Sequence, residues 1–239
     1  MKIYRYESIG STSTEATQLL LQGVRPPFVV TAKTQTAGRG SGSRTWKSPA
    51  GNLYLSLALT CRKDEVGPLP LKVAVLLAHW MQERVKLTPT LKWPNDLLLD
   101  GKKLAGILCE ASWQPGNVSC DVIVGIGINV NNTPELESDY QATCLRTASS
   151  KEWELESLLD SLLLFWEQKE PKWRNKELYL AAYRTLHLPP GQVLQDTVYP
   201  HDLYSFEAID SEGCLVVRNI NDTSSRSIVT AQHTLRWQL

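Results

Sequence analysis

The sequence has few cysteines and no CxxC pair. Its five cysteines, Cys61, Cys109, Cys120, Cys144 and Cys214, are odd in number and scattered. That pattern excludes a disulfide framework and the usual zinc spacings, and it reads as reduced thiols of a cytoplasmic protein. Long apolar runs are also missing. The richest windows, residues 73–79 and 158–166, are far too short to span a bilayer. The start, Met1-Lys2-Ile3-Tyr4-Arg5-Tyr6-Glu7, is polar and lacks the apolar stretch of a secretion signal. Neither charge dominates, since acidic and basic residues number 25 each. A nucleic-acid binder would usually carry a basic excess. No partner of that kind is expected, and no membrane.

What is present suits a folded chain. Of 239 residues, 42% are apolar and 21% charged, ordinary values for a globular protein. The length allows a mid-sized domain plus a small one, or a single larger domain. A capping box spans Thr12 to Glu15 and should open a helix through residue 22, stopped by Gly23. Residues 28–33 form a β-rich run, and 34–48 a loop. Residues 52–60 alternate leucines with smaller side chains, as a half-buried strand does. Apolar positions at helical spacing predict a core helix over 71–85. Two strands, 97–100 and 103–111, should meet at the Asp100-Gly101 turn. Another strand covers 122–130. Residues 153–186 are helical in pattern, broken at Pro171. Pro189-Pro190-Gly191 marks a boundary. Beyond it come only short β runs, at 193–199, 205–209, 214–220, 227–231 and 233–237, which suggest a small barrel.

Three segments could carry chemistry. Gly38-Arg39-Gly40-Ser41-Gly42-Ser43-Arg44-Thr45-Trp46 combines glycines that free backbone N–H groups for an anion, two arginines, and an aromatic face for a flat ring. It is neither a Walker loop nor a Rossmann fingerprint. On its own it equally suits a solvated surface loop. Lys92-Trp93-Pro94-Asn95-Asp96 precedes a strand in which Lys103 shares a face with Ala105, Ile107, Cys109 and Ala111 by alternation. That lysine is either a buried cation aimed at an anion or a snorkelling strand-end residue. In Gly125-Ile126-Gly127-Ile128-Asn129, alternation places both glycines and Asn129 on one face. Such a strip admits a ligand against the backbone or a closely packed helix.

In this order, the segments resemble the biotin protein ligases. The resemblance rests on Gly10-Ser11-Thr12, Gln35-Thr36-Ala37-Gly38-Arg39-Gly40, Trp46-x-Ser48-Pro49, Asn52-Leu53-Tyr54-Leu55-Ser56, Lys92-Trp93-Pro94-Asn95-Asp96, Lys103-Leu104-Ala105-Gly106-Ile107-Leu108 and Gly125-Ile126-Gly127-Ile128-Asn129. It covers nearly the whole chain. It implies an α+β fold, with a mixed sheet flanked by helices over residues 1–188 and a C-terminal SH3-like β-barrel over 189–239. It implies activation of biotin with ATP and Mg²⁺ to biotinyl-5′-AMP, then transfer to a lysine of a biotin carboxyl carrier protein, an acetyl-CoA carboxylase subunit. Lys103, Arg39 and Asp96 would be catalytic, with Asp96 as proton acceptor. Ser11, Thr12, Ser13, Gln35, Arg39, Gly40, Ser41, Lys103 and Gly106 would hold biotin. Arg39, Arg44, Trp46, Asn95, Lys103 and Asn129 would hold ATP, and Mg²⁺ would be bound mainly through the phosphates.

Two departures bear on these expectations. Some members carry an N-terminal helix-turn-helix domain and act as repressors, whereas Ser11 lies almost at the start here. The loop usually continues Gly-Arg after the first arginine, whereas Gly40 is followed by Ser41; Arg44 would compensate in part. The family includes monomers and homodimers. The rival readings are a lipoate-type protein ligase on a related fold and a non-catalytic biotin-binding module. A Ser/Cys hydrolase is a third option, against which stand the missing GxSxG elbow and cysteines without a motif.

Overall fold

A computed structural model describes all residues except 43, 114–115, 136–140, 197–198, 200, 223–225, 230–234 and 239, with only the backbone of Arg226 and Gln238. The chain opens with a strand, β1 (Lys2–Ile9), followed by α1 (Thr12–Leu21), β2 (Phe28–Gln35) and β3 (Leu53–Arg62). A single turn, α2 (Lys63–Val66), leads to α3 (Leu69–Trp80), which continues as a π-helical turn over Met81–Val85. Then come β4 (Thr90–Lys92), β5 (Asp96–Leu99), β6 (Lys102–Ser112), β7 (Ser119–Ile128) and α4 (Leu145–Ser149). Two longer helices follow, α5 (Leu155–Lys169) and α6 (Lys176–Leu186), with a 3₁₀ turn at Lys172–Arg174 between them. The remainder is β8 (Val193–Asp196), β9 (Leu203–Ile209), β10 (Leu215–Asn219), β11 (Arg226–Val229) and β12 (Leu235–Gln238).

The first seven strands form one mixed sheet, β1-β2-β3-β7-β6-β5-β4, parallel only between β1 and β2. The last five form an antiparallel sheet, β11-β10-β9-β8-β12. The expected mixed sheet with helices and small β unit are therefore present. Parts of three expected C-terminal strands, at residues 197–198, 230–231 and 233–234, lie outside the described residues.

Alternation sorts the large sheet into two faces. Leu53, Leu55, Leu57, Val124, Ile126 and Ile107 join α3, α5 and α6 in the main core. The other face packs Ala58, Ile123, Phe28 and Val30 under Ala16 and Leu19 of α1. With cover on both faces, β3 is buried from Leu53 to Ala58 rather than half-buried as its leucine pattern suggested. The Asp100-Gly101 turn forms as read, with φ of 50° and 74°, the left-handed pair that a two-residue hairpin needs. Helix α1 is capped one residue earlier than expected. The Ser11 side chain accepts from the Thr14 N–H, which leaves the Thr12 hydroxyl free to serve the site below.

Candidate active site

The first turn of α1, the loop after β2 and the facing ends of β5, β6 and β7 converge on the α1 side of the sheet. Three residues of α1's start, Ser11, Thr12 and Ser13, are buried. The Thr12 N–H and hydroxyl both donate to Gln35 Oε1, at 2.8 and 3.1 Å. Gln35 Nε2 donates to Ser48 Oγ at 2.8 Å. Ser56 Oγ donates to Thr12 Oγ1 at 2.8 Å and lies 3.0 Å from Ser13 Oγ. This is a buried cluster of neutral donors and acceptors. Ser11, Thr12, Ser13 and Gln35 are among the residues expected at the site; Ser48 and Ser56 are not. Both stand inside the motifs quoted above, and Ser56 interrupts the apolar run Leu53–Leu59, a signal that could have found it.

The cationic end lies at β5 and β6. Lys103 Nζ is 2.7 Å from Asp96 Oδ1, and Lys92 Nζ is 2.9 Å from Asp96 Oδ2. Asp96 is 8% exposed and Lys92 7%. Burial alone would raise the Asp96 carboxyl, but the two ammonium groups outweigh it and hold the group at about 2. Burial pushes the Lys92 amine down, against the pull of Asp96. One carboxylate between two ammonium groups leaves the cluster net positive. Sequence reasoning missed Lys92 as a partner. Its i,i+4 offset from Asp96 is uninformative in extended chain, and the tight turn that brings the pair together is not readable from spacing.

Lys103 does not share a face with Ala105 and Ile107, as simple alternation predicts. Leu98 of β5 pairs with Lys103 while Leu97 pairs with Ala105, so Leu104 is an extra residue in β6. This bulge flips the count. Ala105 and Ile107 turn into the core, and Lys103 joins Gly106: a Cβ added there would lie 3.5 Å from Lys103 Cε.

The glycine strip is filled by side chains. Gly106 and Gly127 lie under the Trp46 indole, where an added Cβ would come within 2.8 and 2.5 Å of ring atoms. Gly125 accommodates Ser13 of α1, which would be 2.8 Å from such a Cβ. Both readings of the strip thus hold in part, a flat aromatic at one end and a packed helix at the other. Lys103 Nζ stands 5.2 Å from the Trp46 ring centroid. Trp46 Nε1 and Asn129 Oδ1 are buried and have no hydrogen-bond partner among the described residues. Asn129 Nδ2 donates to the Lys103 and Thr143 carbonyls, so its amide oxygen is the acceptor left over. Asn95 Nδ2 is occupied, donating to the Ile107 carbonyl at 2.6 Å.

The glycine loop folds back on itself. Trp46 N–H donates to the Gly38 carbonyl and Gly40 N–H to the Arg44 carbonyl. The Arg44 guanidinium bonds Ser41 through both its hydroxyl and its carbonyl. Its charge still reaches Lys92, whose amine it helps to depress. Arg39 pairs with Glu110 of β6, a partner sequence reasoning did not name.

A neutral polar cluster, a cationic cluster and a stacking face on one side of a mixed sheet are the parts an acid-activating ligase needs. The fold is shared with the biotin protein ligase from Aquifex aeolicus, solved in complex with biotin and ATP, which superposes with a TM-score of 0.79 at 23% identity, over 99% of this chain and 98% of that one. The chain belongs to the biotin/lipoate A/B protein ligase family, whose profile matches residues 6–129. Among curated relatives, the bifunctional ligase/repressor BirA of Bacillus subtilis is 35% identical over 172 residues, 69% of this chain and 52% of that protein. The biotin–(acetyl-CoA-carboxylase) ligase of Mycobacterium tuberculosis is 35% identical over 171 residues, 68% of this chain and 62% of that protein. The chain thus spans about half to three-fifths of the length of these two relatives.

Proposed function

We propose that this chain is a biotin protein ligase. It joins biotin to ATP as biotinyl-5′-AMP and passes the biotinyl group to a lysine of a biotin carboxyl carrier protein. The observation that carries this reading is the Lys92–Asp96–Lys103 cluster beside the Trp46-covered glycine strip. In the first step the biotin carboxylate attacks the α-phosphorus and pyrophosphate leaves. Two anions meet there, so fixed positive charge must already be in place. Lys103 and Arg39 supply it, with Arg44 replacing part of the charge that Ser41 lacks. Thr12, Ser13, Gln35 and the N-cap Ser11 offer the neutral hydrogen bonds that suit the ureido ring, and Gly40, Ser41 and Gly106 line the passage between. Trp46 flanks the adenine, and Asn129 Oδ1 is free to accept from its amino group; Asn95 shapes the turn beside it.

Both Asp96 oxygens are engaged by Lys92 and Lys103. Magnesium would be held mainly through the triphosphate, where it would add positive charge.

In the second step a neutral amine of the carrier attacks the acyl carbon and AMP leaves. A lysine with pKa near 10.4 is neutral about once in a few thousand at pH 7, a penalty of roughly 4–5 kcal/mol. Asp96, held at about 2, accepts that proton poorly while both lysines grip it. Its first task is to aim Lys103, and it becomes a better acceptor once Lys103 has moved onto the phosphate. We assign residues 1–188 to the catalytic domain and 189–239 to a C-terminal SH3-like domain that shares its buried cluster; we place the reaction in the cytoplasm, with an acetyl-CoA carboxylase subunit as acceptor. The direct test supplies ATP, magnesium and a carrier domain with biotin or lipoate. The carrier should gain the mass of biotinyl and not of lipoyl; the reverse would overturn the reading.

A further inference from the structure

Trp93 is the residue through which the C-terminal half of the chain grips the site. It immediately precedes Pro94-Asn95-Asp96, and all three of its polar groups are held from that half. Its backbone N–H donates to His187 Nε2 at 3.1 Å. Its carbonyl accepts from Trp237 Nε1 at 3.2 Å. Its indole N–H donates to the Gly213 carbonyl at 2.9 Å. The donors and acceptors come from the end of α6, from β12 and from the turn before β10. All are buried.

His187 is the hub. Its Nε2 accepts from Trp93, so its proton sits on Nδ1 and is donated to the Leu188 carbonyl at 2.8 Å. This fixes one neutral tautomer, which an imidazolium could not replace. The ring packs against Tyr183, Phe206 and Trp237, with centroids 4.7–5.5 Å away. The Leu188 N–H donates to the Leu91 carbonyl, so both sides of β4's end are stitched to the end of α6.

We infer that His187 is a positioning residue of this site: through Trp93 it fixes the start of β5, and so places the Asp96 carboxylate that aims Lys103. The inference rests on the ligase reading. A displaced Trp93 moves Asp96, three residues on, and a small error in the direction of Lys103 weakens the charge it delivers to the reacting phosphate. The biotin-ring cluster on α1 and Gln35 lies at the other end of the sheet face and is untouched.

The test measures biotin-dependent ATP–pyrophosphate exchange by the full chain, its His187→Leu variant and its His187→Gln variant, normalised to the folded fraction. Glutamine carries an acceptor near the Nε2 position, and leucine carries none. For His187→Leu we expect kcat lower by about 10- to 100-fold, the worth of one buried hydrogen bond transmitted to the transition state, with the biotin KM within about twofold. For His187→Gln we expect most of the rate back. Nitrogen-15 spectra of the wild type should show His187 protonated on Nδ1 alone. Should His187→Leu not fold, His187→Asn, whose shorter side chain cannot place an acceptor at the Nε2 position, takes its place and should lose kcat without loss of biotin affinity. A folded variant of either kind with wild-type kcat, or a glutamine variant no better than leucine, overturns the inference. A wild type without biotin-dependent exchange overturns the ligase reading instead.

Discussion

At the scale of single residues, charge decides the outcome. A cation about 4 Å from the reacting phosphate is worth roughly 4 kcal/mol at an effective dielectric of about 20. Lys103→Ala should therefore slow adenylate formation by about a thousandfold, whereas Lys63→Ala, at an exposed position, should leave it unchanged; single-turnover kinetics compare the two. Acid should destabilise the fold chiefly through His187 and Asp96. Burial lowers His187 from 6.5 to about 4, so the unfolded chain takes up a proton first as pH falls. The stability this histidine contributes is present above pH 6.5 and is lost on the way to 4, about 3 kcal/mol in all. Asp96, depressed from 3.8 to about 2, acts lower down: its contribution is present above 3.8 and is lost as pH falls towards 2. Urea titrations should show midpoints dropping between pH 6.5 and 4, and His187→Gln should flatten that slope. His79, lowered chiefly by burial, adds a smaller fall in the same direction. The sequence singles out Lys103 and Asp96 because the two motifs that hold them are specific, whereas Arg39 stands in a glycine loop that is not. It hid the Asp96 bridge to Lys92 and the Glu110 partner of Arg39, because both depend on strands that meet only in the fold.

At the scale of elements, the glycine strip and the loop over it act together. Gly127→Ala would drive a methyl into the Trp46 indole, since the added carbon would sit 2.5 Å from a ring atom. Backbone carries that carbon, so the indole must move. The variant should stay folded, raise the KM for ATP about tenfold or more by displacing the stacking face, and shift the tryptophan fluorescence; an unchanged KM would separate Trp46 from nucleotide binding. We propose that the loop carrying Arg39, Arg44 and Trp46 closes over the product. Protease cleavage within it should slow when biotin and ATP are both present, and equal rates with and without them would remove the lid role. Most elements were legible because their periodicity is strong: α1, β2, β3, β5, β6 and β7 stand where apolar spacing put them, within a few residues. β1 was not, because an edge strand with charged residues between its apolar ones reads as a polar start. β4 is three residues long, too short for any period. The face of Lys103 was misread for a definite reason. Alternation assumes one residue per pair, and Leu104 is inserted without a partner.

At the scale of the whole molecule, the two sheets are not separate bodies in their packing. Leu194, Phe206, Leu215 and Trp237 of the C-terminal strands lie in the same buried cluster as Trp93, Tyr183 and Leu91. Removing residues 189–239 would strip apolar cover from that cluster as well as the bonds on Trp93. At about 1.5–3 kcal/mol for each large side chain exposed, the truncated chain should lose its cooperative thermal transition rather than behave as a smaller stable domain; calorimetry decides this. The Pro189-Pro190-Gly191 break was legible as a change of element type, and a change of element type need not divide a core. Likewise, local pattern could place a small β unit at the end of the chain but could not show that it grips Trp93 beside the β4–β5 turn. In the proposed reaction Lys103 is the cation that joins biotin to nucleotide. The most direct measurement is the exchange of labelled pyrophosphate into ATP, with and without biotin, by the wild type and by Lys103→Ala. The account predicts exchange that requires biotin and falls about a thousandfold in the variant. Exchange independent of biotin, or a variant as fast as the wild type, would contradict it.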